Sequence, residues 1–469
     1  NMSEKKKRKP FFKDRSKILT KTFKTEIFLS EEDKRVLDSA SKICNWLYNN
    51  LLQASNDDYE NNGNQKKLTN RISLRDYMVN KVKPANPFLK TVHSSLLKEP
   101  PIRLGSAFQA FFKLRAGKPG FKSWKKQWFS LVYDEPSSGS VKINGKQISF
   151  NIGKDINGKK IVVNAEMDCA ITYKNYKLCT VEITKERDRF FVCISVDIPK
   201  KEVNEDIKSW ICIDPNHKNL FVAIDNEGRT YEFGNPTPSK SLDKEIDKVK
   251  AKLSKTRKQK VVKEYNEKGE YVKTNITPAS RRNVHLQDVL EHLYHKRREQ
   301  NKQLYYGVCN WISNKYDFVV IGDYTPSADL TISTAMRRVM LAQSHVGKFR
   351  DTLEFVCAKN GVKYKATNEA YTTSDCCFCG HRKSRTPDER NLVCEKCGQS
   401  VYRDVNSCIN FAINENLILS GSDYEGVDLS KPSYTFFLNQ KTKSVSDLVE
   451  KRLRIKEVNQ IHLAKSINC

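Results

Sequence analysis

Two Cys-x-x-Cys knuckles, Cys376/Cys379 and Cys394/Cys397, stand fourteen residues apart in the segment TSDCCFCGHRKSRTPDERNLVCEKCGQSVYRD. Each knuckle supplies two thiolates, so the spacing predicts a tetrahedral four-cysteine zinc site with the intervening residues folded as a loop. Cys377 is an alternative ligand, but only Cys376 leaves the two-residue gap to Cys379 that a knuckle turn prefers. A closed shell of four thiolates has no position for water, and this zinc is therefore read as structural. The finger also has an acid on either side, Glu369 seven residues before the first cysteine and Asp404 seven after the last. A metal-folded hairpin that draws distant carboxylates together is one way to close a two-metal site, provided a third acid comes from elsewhere.

That third acid is Asp214. It ends the apolar run WICID, and Pro215 begins a turn that leaves the carboxylate at the rim of a sheet. Asp404 opens the helical pattern DVNSCINFAIN, where an acid is also a natural cap or first-turn residue. Hard Mg2+ prefers oxygen ligands, and two such ions roughly 3.5–4 Å apart clamp the attacking and leaving oxygens of a phosphodiester. Acids at strand and helix ends are the residue type that this chemistry requires.

The 469 residues carry 83 Lys and Arg against 55 Asp and Glu, a formal charge of +28. The excess is spread along the chain and favours a polyanionic partner, nucleic acid before any other. The run Lys5-Lys6-Lys7-Arg8-Lys9-Pro10 reads as a nuclear-import signal or as an arm on phosphates. No secretory leader is evident, and four of the 14 cysteines are assigned to the knuckles, so a reducing, intracellular setting is expected. No apolar run approaches the roughly 18 residues of a membrane span. Candidate nucleic-acid contacts are Lys118, Lys122, Trp124 and Lys125 around Phe121, and Arg281, Arg282, Arg297 and Arg298 on a basic helix, with Arg337 and Arg338 similar.

Residues 21–29 alternate as a strand, and Ser30 caps a helix that is expected to end near Gln53. Helical patterning resumes up to the break at Gly117-Lys118-Pro119-Gly120, and residues 125–201 then show period-two strands with turns at Asn144-Gly145 and Asn157-Gly158. From Trp210 onward, two apolar runs joined by a short turn are followed by strands alternating with helices. This pattern predicts an RNase H-like α/β domain with a charged insert at 255–277.

Residues 21–54, AFQAFFKLRAGKPGFKSW (107–124), CIDPNHKNLFVAID (212–225), both knuckles and YRDVNSCINFAIN (402–414) together resemble the transposon-encoded TnpB nucleases. They are most similar to Fanzor, the eukaryotic and viral branch, over about 400 residues in order. The resemblance implies a multidomain α/β plus β architecture. A basic arm (1–20) precedes a wedge-type β-barrel (21–54 and 125–205) interrupted by a helical recognition domain (55–124). A RuvC-like nuclease domain (206–375 and 399–418) then carries a zinc-finger, target nucleic-acid-binding insert (376–398), and the tail 419–469 has no assigned role. It further implies a guide RNA (an omega RNA), a double-stranded DNA target bearing a short flanking motif, and Asp214, Glu369 and Asp404 as ligands of two catalytic Mg2+ ions. In such systems base pairing reads sequence and protein reads the flanking duplex and backbone.

One position departs from the TnpB pattern. Many TnpB proteins end the second RuvC motif in glutamate, whereas VVIGDY has Gly322 there and Asp323 one residue late. A one-residue displacement in a strand turns a side chain to the opposite face. Glu369 is therefore taken as the middle acid, as in some Fanzor and TnpB proteins. Asp323 and an impaired site remain the alternatives. Two rival functions follow: guided DNA binding without cleavage, and an RNase H-like transposase.

Overall fold

A computed structural model describes residues 17–62, 67–134, 136, 139–171, 177–216, 219–234, 237–267, 271–323, 346–384, 389–438 and 453–457. The basic run at 5–10, Arg337 and Arg338 lie outside them. The chain divides into two units, Asn1–Pro199 and Lys200–Cys469.

In the first unit, β1 (Ile18–Phe28) pairs antiparallel with β7 (Arg189–Pro199) over ten residues and with β5 (Lys160–Met167) at its far end. With β2 (Leu131–Asp134), β3 (Val141–Asn144), β4 (Gln147–Lys154) and β6 (Lys177–Glu186) they form one antiparallel sheet in the order β2-β6-β7-β1-β5-β4-β3. The sheet curls. Tyr133 on edge strand β2 donates its hydroxyl to the Asn151 carbonyl of β4 at 3.0 Å, although the two strands are far apart in that order.

Helix α1 (Glu31–Asn61) starts where expected, with Ser30 Oγ accepting the Asp33 amide at 3.1 Å and three acids in the first turn. It buries Leu37, Ala40, Cys44, Leu47 and Leu51. It also runs about two turns past the expected end at Gln53. The polar stretch from Asn56 stays helical because it contains no Gly or Pro before Gly63, and because Gln53 bonds Asp57 (2.7 Å) and Asn62 bonds Asp58 (2.6 Å) across one turn. Polarity there decides which face is wet rather than where the helix stops. Two further helices of this unit, α2 (Arg71–Tyr77) and α3 (Ser94–Phe112), are joined by short helical turns between Met78 and Thr91.

The second unit is built on a mixed sheet. Strands β8 (Trp210–Pro215), β13 (Phe318–Gly322) and β14 (Lys363–Thr367) run parallel, with β13 between the other two. A hairpin from β8 leads to β9 (Phe221–Asp225) and β10 (Thr230–Phe233). Every residue of β8, β9 and β13 is buried, the run of apolar residues expected when both faces of a sheet are covered. Ile211, Ile213, Val319 and Ile321 face a core made with α5 (Arg281–Lys315) and α6 (Val346–Asn360). Cys212, Val222, Ile224 and Val320 face the opposite core, made with Val405, Cys408, Ile409 and Phe411 of α7 (Arg403–Asn414). Each large apolar side chain so buried is worth about 1.5–3 kcal/mol.

The charged insert at 255–277 forms the hairpin β11 (Lys260–Tyr265) and β12 (Tyr271–Thr277), between α4 (Thr237–Ser254) and α5. The tail, which carries no motif, adds β17 (Tyr434–Leu438) parallel to β10 and β18 (Leu453–Glu457) antiparallel to β17. In the finger, β15 (Asn391–Val393) pairs antiparallel with β16 (Ser400–Tyr402).

Candidate functional site

The three parallel strands end level with one another. Ile213 is in register with Ile321, and Gly322 with Thr367, so Asp214, Gly322 and the turn carrying Glu369 emerge on the same rim of the sheet. Strand alternation puts Asp214 and position 322 on the face of Cys212 and Val320, the face covered by α7, whose second residue is Asp404. The carboxyl end of a parallel sheet is the usual place for a ligand site in an open α/β fold.

Asp214 and Asp404 are 9% and 2% exposed, while Glu369 is half-buried. Burial, then the negative charges of Asp404 and Glu369, push the Asp214 carboxyl well above its ordinary value of 3.8, against the pull of Arg403 and a hydrogen bond from Ser407. The three carboxylates therefore share one small region and repel. Asp404 Oδ2 accepts from Asn216 Nδ2 (3.1 Å) and Arg390 Nη1 (3.3 Å), and Oδ1 accepts from Arg403 Nε (3.0 Å). Another buried acid of the sheet is Asp225. It accepts from Arg229 Nε (2.8 Å), Tyr231 (3.0 Å) and Tyr316 (2.8 Å), all neutral or positive partners.

The glycine at 322 is explained by Glu369. A Cβ built on Gly322 would lie 2.0 Å from Glu369 Oε1 and 2.7 Å from its Cδ, so the glutamate's carboxylate fills the space of the side chain that the strand lacks. Asp323 is turned to other work: its Oδ1 accepts the Glu369 amide at 3.2 Å, and its own amide donates to the Thr367 carbonyl at 2.9 Å. It thus holds the turn that presents Glu369.

The four knuckle sulfurs lie within 4.8 Å of one another. Cys376 and Cys397 Sγ are 3.7 Å apart, and Cys379 and Cys394 3.6 Å. A tetrahedron with Zn–S bonds of about 2.3 Å has edges of roughly 3.8 Å, so the pocket fits Zn2+, whereas a disulfide needs about 2.05 Å. Gly380 and Gly398, at φ +69° and +71°, turn the two knuckles and donate their amides to Cys376 and Cys394 carbonyls at 2.8 Å. Backbone amides of Cys397 and Lys396 lower the Cys394 thiol to about 6, toward the thiolate that a metal binds. Cys377 is no ligand; it is buried with the α7 core, against Phe378 and Leu392.

Two asparagines join the finger to the acids, and sequence reasoning passed over both. Asn406 and Asn410, 0% and 8% exposed, each donate Nδ2 to the Thr372 and Asp375 carbonyls at 2.8–2.9 Å, and Asn406 Oδ1 accepts the Cys377 amide at 3.0 Å. They pin α7, which carries Asp404, to the turn that carries Glu369. The available signal was a pair of asparagines four apart on an otherwise apolar helix face. Asn216, just after Asp214, was also missed.

Of the candidate nucleic-acid residues, three are turned inward. Lys122 lies over the Tyr48 ring at 4.2 Å, and Trp124 donates to Ser41 Oγ at 3.0 Å with Lys42 over its ring. Arg297 is ion-paired with Asp243. Lys118, Lys125, Arg281, Arg282 and Arg298 are exposed.

Residues 347–411 match the family model described as Cas12f1-like, TNB domain. TnpB-like protein L79 of Acanthamoeba polyphaga mimivirus is 23% identical over 243 residues, covering 50% of this chain and 42% of the relative, and a second mimivirus TnpB-like protein matches to the same extent. The chain is thus similar to TnpB-like proteins over about half of its own length. It spans less than half the length of these TnpB-like relatives. Among solved structures, the Cas12f1 chain of a cryo-EM Cas12f1–sgRNA–target DNA complex superposes with a TM-score of 0.53 at 13% identity, covering 84% of this chain and 99% of that one. At that identity the likeness is one of fold.

Proposed function

We propose that this chain is an RNA-guided DNA endonuclease of the Fanzor branch, associated with a transposable element, that hydrolyses phosphodiester bonds in DNA paired to its guide. The observation that carries the reading is the meeting of Asp214, Glu369 and Asp404 at one sheet rim, with Glu369 in the volume left by Gly322. Three neighbouring carboxylates, two of them buried, repel one another, and a multivalent cation would relieve that repulsion beyond what Arg390 and Arg403 do at Asp404. Asp214, Glu369 and Asp404 would hold two Mg2+ ions, which supply Lewis-acid stabilisation of the attacking and leaving oxygens.

The chain's own residues prepare that site. Asn216, Arg390 and Arg403 fix the Asp404 carboxylate, and Asp323 fixes the backbone of Glu369. Arg390 also places a cation from the finger beside the acids, where a phosphate would arrive. Products with 5′-phosphate and 3′-hydroxyl ends are expected. The curled sheet of the first unit is read as the wedge barrel and its helices as the recognition domain. The remaining domains keep the boundaries expected from sequence. Guide RNA and a DNA duplex with a short flanking motif are the proposed partners, and the nucleus the proposed compartment.

The test is to purify the protein expressed from its native locus, sequence the RNA that accompanies it, and incubate the complex with labelled cognate DNA in Mg2+ or EDTA. Cutting in Mg2+ alone, lost in Asp214→Ala, Glu369→Ala and Asp404→Ala with RNA retained, is expected. A preparation without a discrete RNA would sink the guided reading, and tight target binding without cutting would return the binding-only alternative.

A further inference from the structure

Tyr371 combines three features that packing does not explain. It sits in the left-handed region at φ +64°, which a bulky side chain rarely adopts. It is nevertheless 59% exposed, so no burial offsets that conformation. And its ring is backed by a guanidinium, with Arg382 Cζ 3.8 Å from the ring centroid.

The backing group is itself fixed. Arg382 donates from Nε to Asp375 Oδ1 at 2.6 Å and from Nη2 to Oδ2 at 2.9 Å, and the backbones of Asp375 and Arg382 form an isolated antiparallel bridge. The Tyr371 carbonyl accepts the amides of Ser374 and Asp375, both at 2.9 Å, so the turn is closed beneath the ring. Thr372 returns to Glu369, donating both its amide (3.3 Å) and its hydroxyl (2.9 Å) to the Glu369 carbonyl. Thr372 is also the residue gripped by Asn406 and Asn410. The ring is thus presented to solvent on a rigid base, two residues from an acid of the cluster.

We infer that Tyr371 is a stacking platform for one unpaired nucleotide base of the strand lying in the acid cluster. An aromatic ring offers a π-face to any base, without sequence preference, and Arg382 adds positive charge beside a polyanion. Two residues of chain separate the Cα atoms of Tyr371 and Glu369 by no more than about 7 Å, and the two side chains extend that reach, so a base on Tyr371 belongs to a nucleotide within a few of the bond positioned by Glu369. A paired base has both faces occupied by its neighbours, and the platform therefore selects single-stranded substrate. The inference rests on reading the acid cluster as a nuclease centre; its role is substrate positioning.

The experiment uses the full-length protein with its co-purified RNA, and single-stranded DNA oligonucleotides carrying 2-aminopurine at successive positions, with Ca2+ in place of Mg2+ to hold the substrate uncut. In the wild type, fluorescence is expected to be quenched at one or two adjacent positions. Tyr371→Ala is expected to abolish the quenching and weaken binding by about 5- to 100-fold, as loss of one base stack does, while Tyr371→Trp retains both. In Mg2+, Tyr371→Ala should raise KM more than it lowers kcat. Tyr371→Gly, which suits a positive φ, should keep zinc content and melting temperature while losing the quenching, so a folding defect is told apart from a lost platform.

Wild-type binding and quenching in Tyr371→Ala would overturn the inference even if the protein cuts normally. Quenching that depends on Tyr371 in a protein that never cuts would instead leave the platform standing and remove the nuclease reading.

Discussion

The four-thiolate centre and the carboxylate cluster are both candidate metal sites of one α/β unit, and they are built in opposite ways. The thiolates come from two knuckles within 22 residues, turned by glycines, with sulfur spacings already those of a zinc tetrahedron. The carboxylates come from residues 214, 369 and 404 and meet only because β8, β13 and β14 are in register and α7 covers that face. A closed shell of soft ligands serves shape; a buried set of repelling oxygens serves chemistry. The asparagine pair at 406 and 410 makes the first a support for the second.

The sharpest way to separate the two is substitution. Alanine at Asp214, Glu369 or Asp404 should lower cleavage by about 10³-fold or more, equivalent to at least about 4 kcal/mol of barrier, measured as single-turnover rates. The zinc content should stay at one per chain. Cys394→Ala should instead lose zinc and cleavage together, and retention of cleavage without zinc would break the claim that the finger supports the acids.

Gly322→Ala tests the carboxylate site more finely. The added methyl meets the Glu369 side chain first, which can swing aside without moving backbone, so melting temperature should hold, while displacement of that carboxylate by an ångström or so should cost about 10²-fold in rate. A rate within a few-fold of wild type would show that Glu369 acts from another position. Asn406→Ala should cost about 1–3 kcal/mol, because it strands the Cys377 amide and removes donors from two buried carbonyls. For a unit of this size that lowers the melting temperature by about 2–4 °C per kcal/mol, as seen by calorimetry.

The smallest effect concerns pH. The folded Asp214 carboxyl titrates above its ordinary value, so between that value and the raised one the folded state holds the proton more firmly, and stability falls as pH rises through the window. Asp214→Asn in EDTA should therefore raise the melting temperature more at pH 8 than at pH 5, by about 3–6 °C for each pKa unit relieved. Saturating Mg2+ should stabilise the wild type and not the variant. An equal gain at both pH values would mean that Asp214 is not held among like charges.

These two centres were also unequally legible. The knuckles are local, and spacing alone picks out Cys376, Cys379, Cys394 and Cys397. Asp214 stands out because a charge ends an apolar strand, and Asp404 because it opens an amphipathic helix. Glu369 needed the comparison with the glycine in VVIGDY, and its fit into the space beside Gly322 is a property of two strands that sequence does not bring together. Asn216, Asn406 and Asn410 escaped because their partners are main-chain carbonyls or a residue 188 positions away. Lys122, Trp124 and Arg297 show the converse: basic and aromatic composition does not reveal which side chains the core of a unit has already engaged. The full length of α1 and the tail strand β17 were not legible because polar content resembles a break and YTFFL is a short apolar run with no motif around it.

The exchange between positions 322 and 369 constrains how such a site changes over generations. A glutamate restored at 322 would be driven into the carboxylate already there, and loss of Glu369 alone would leave glycine opposite two unaided acids. Each arrangement is closed to the other by any single substitution. Moving the acid between the two positions takes two substitutions, and the chain with only one of them carries both glutamates crowded into one volume or neither.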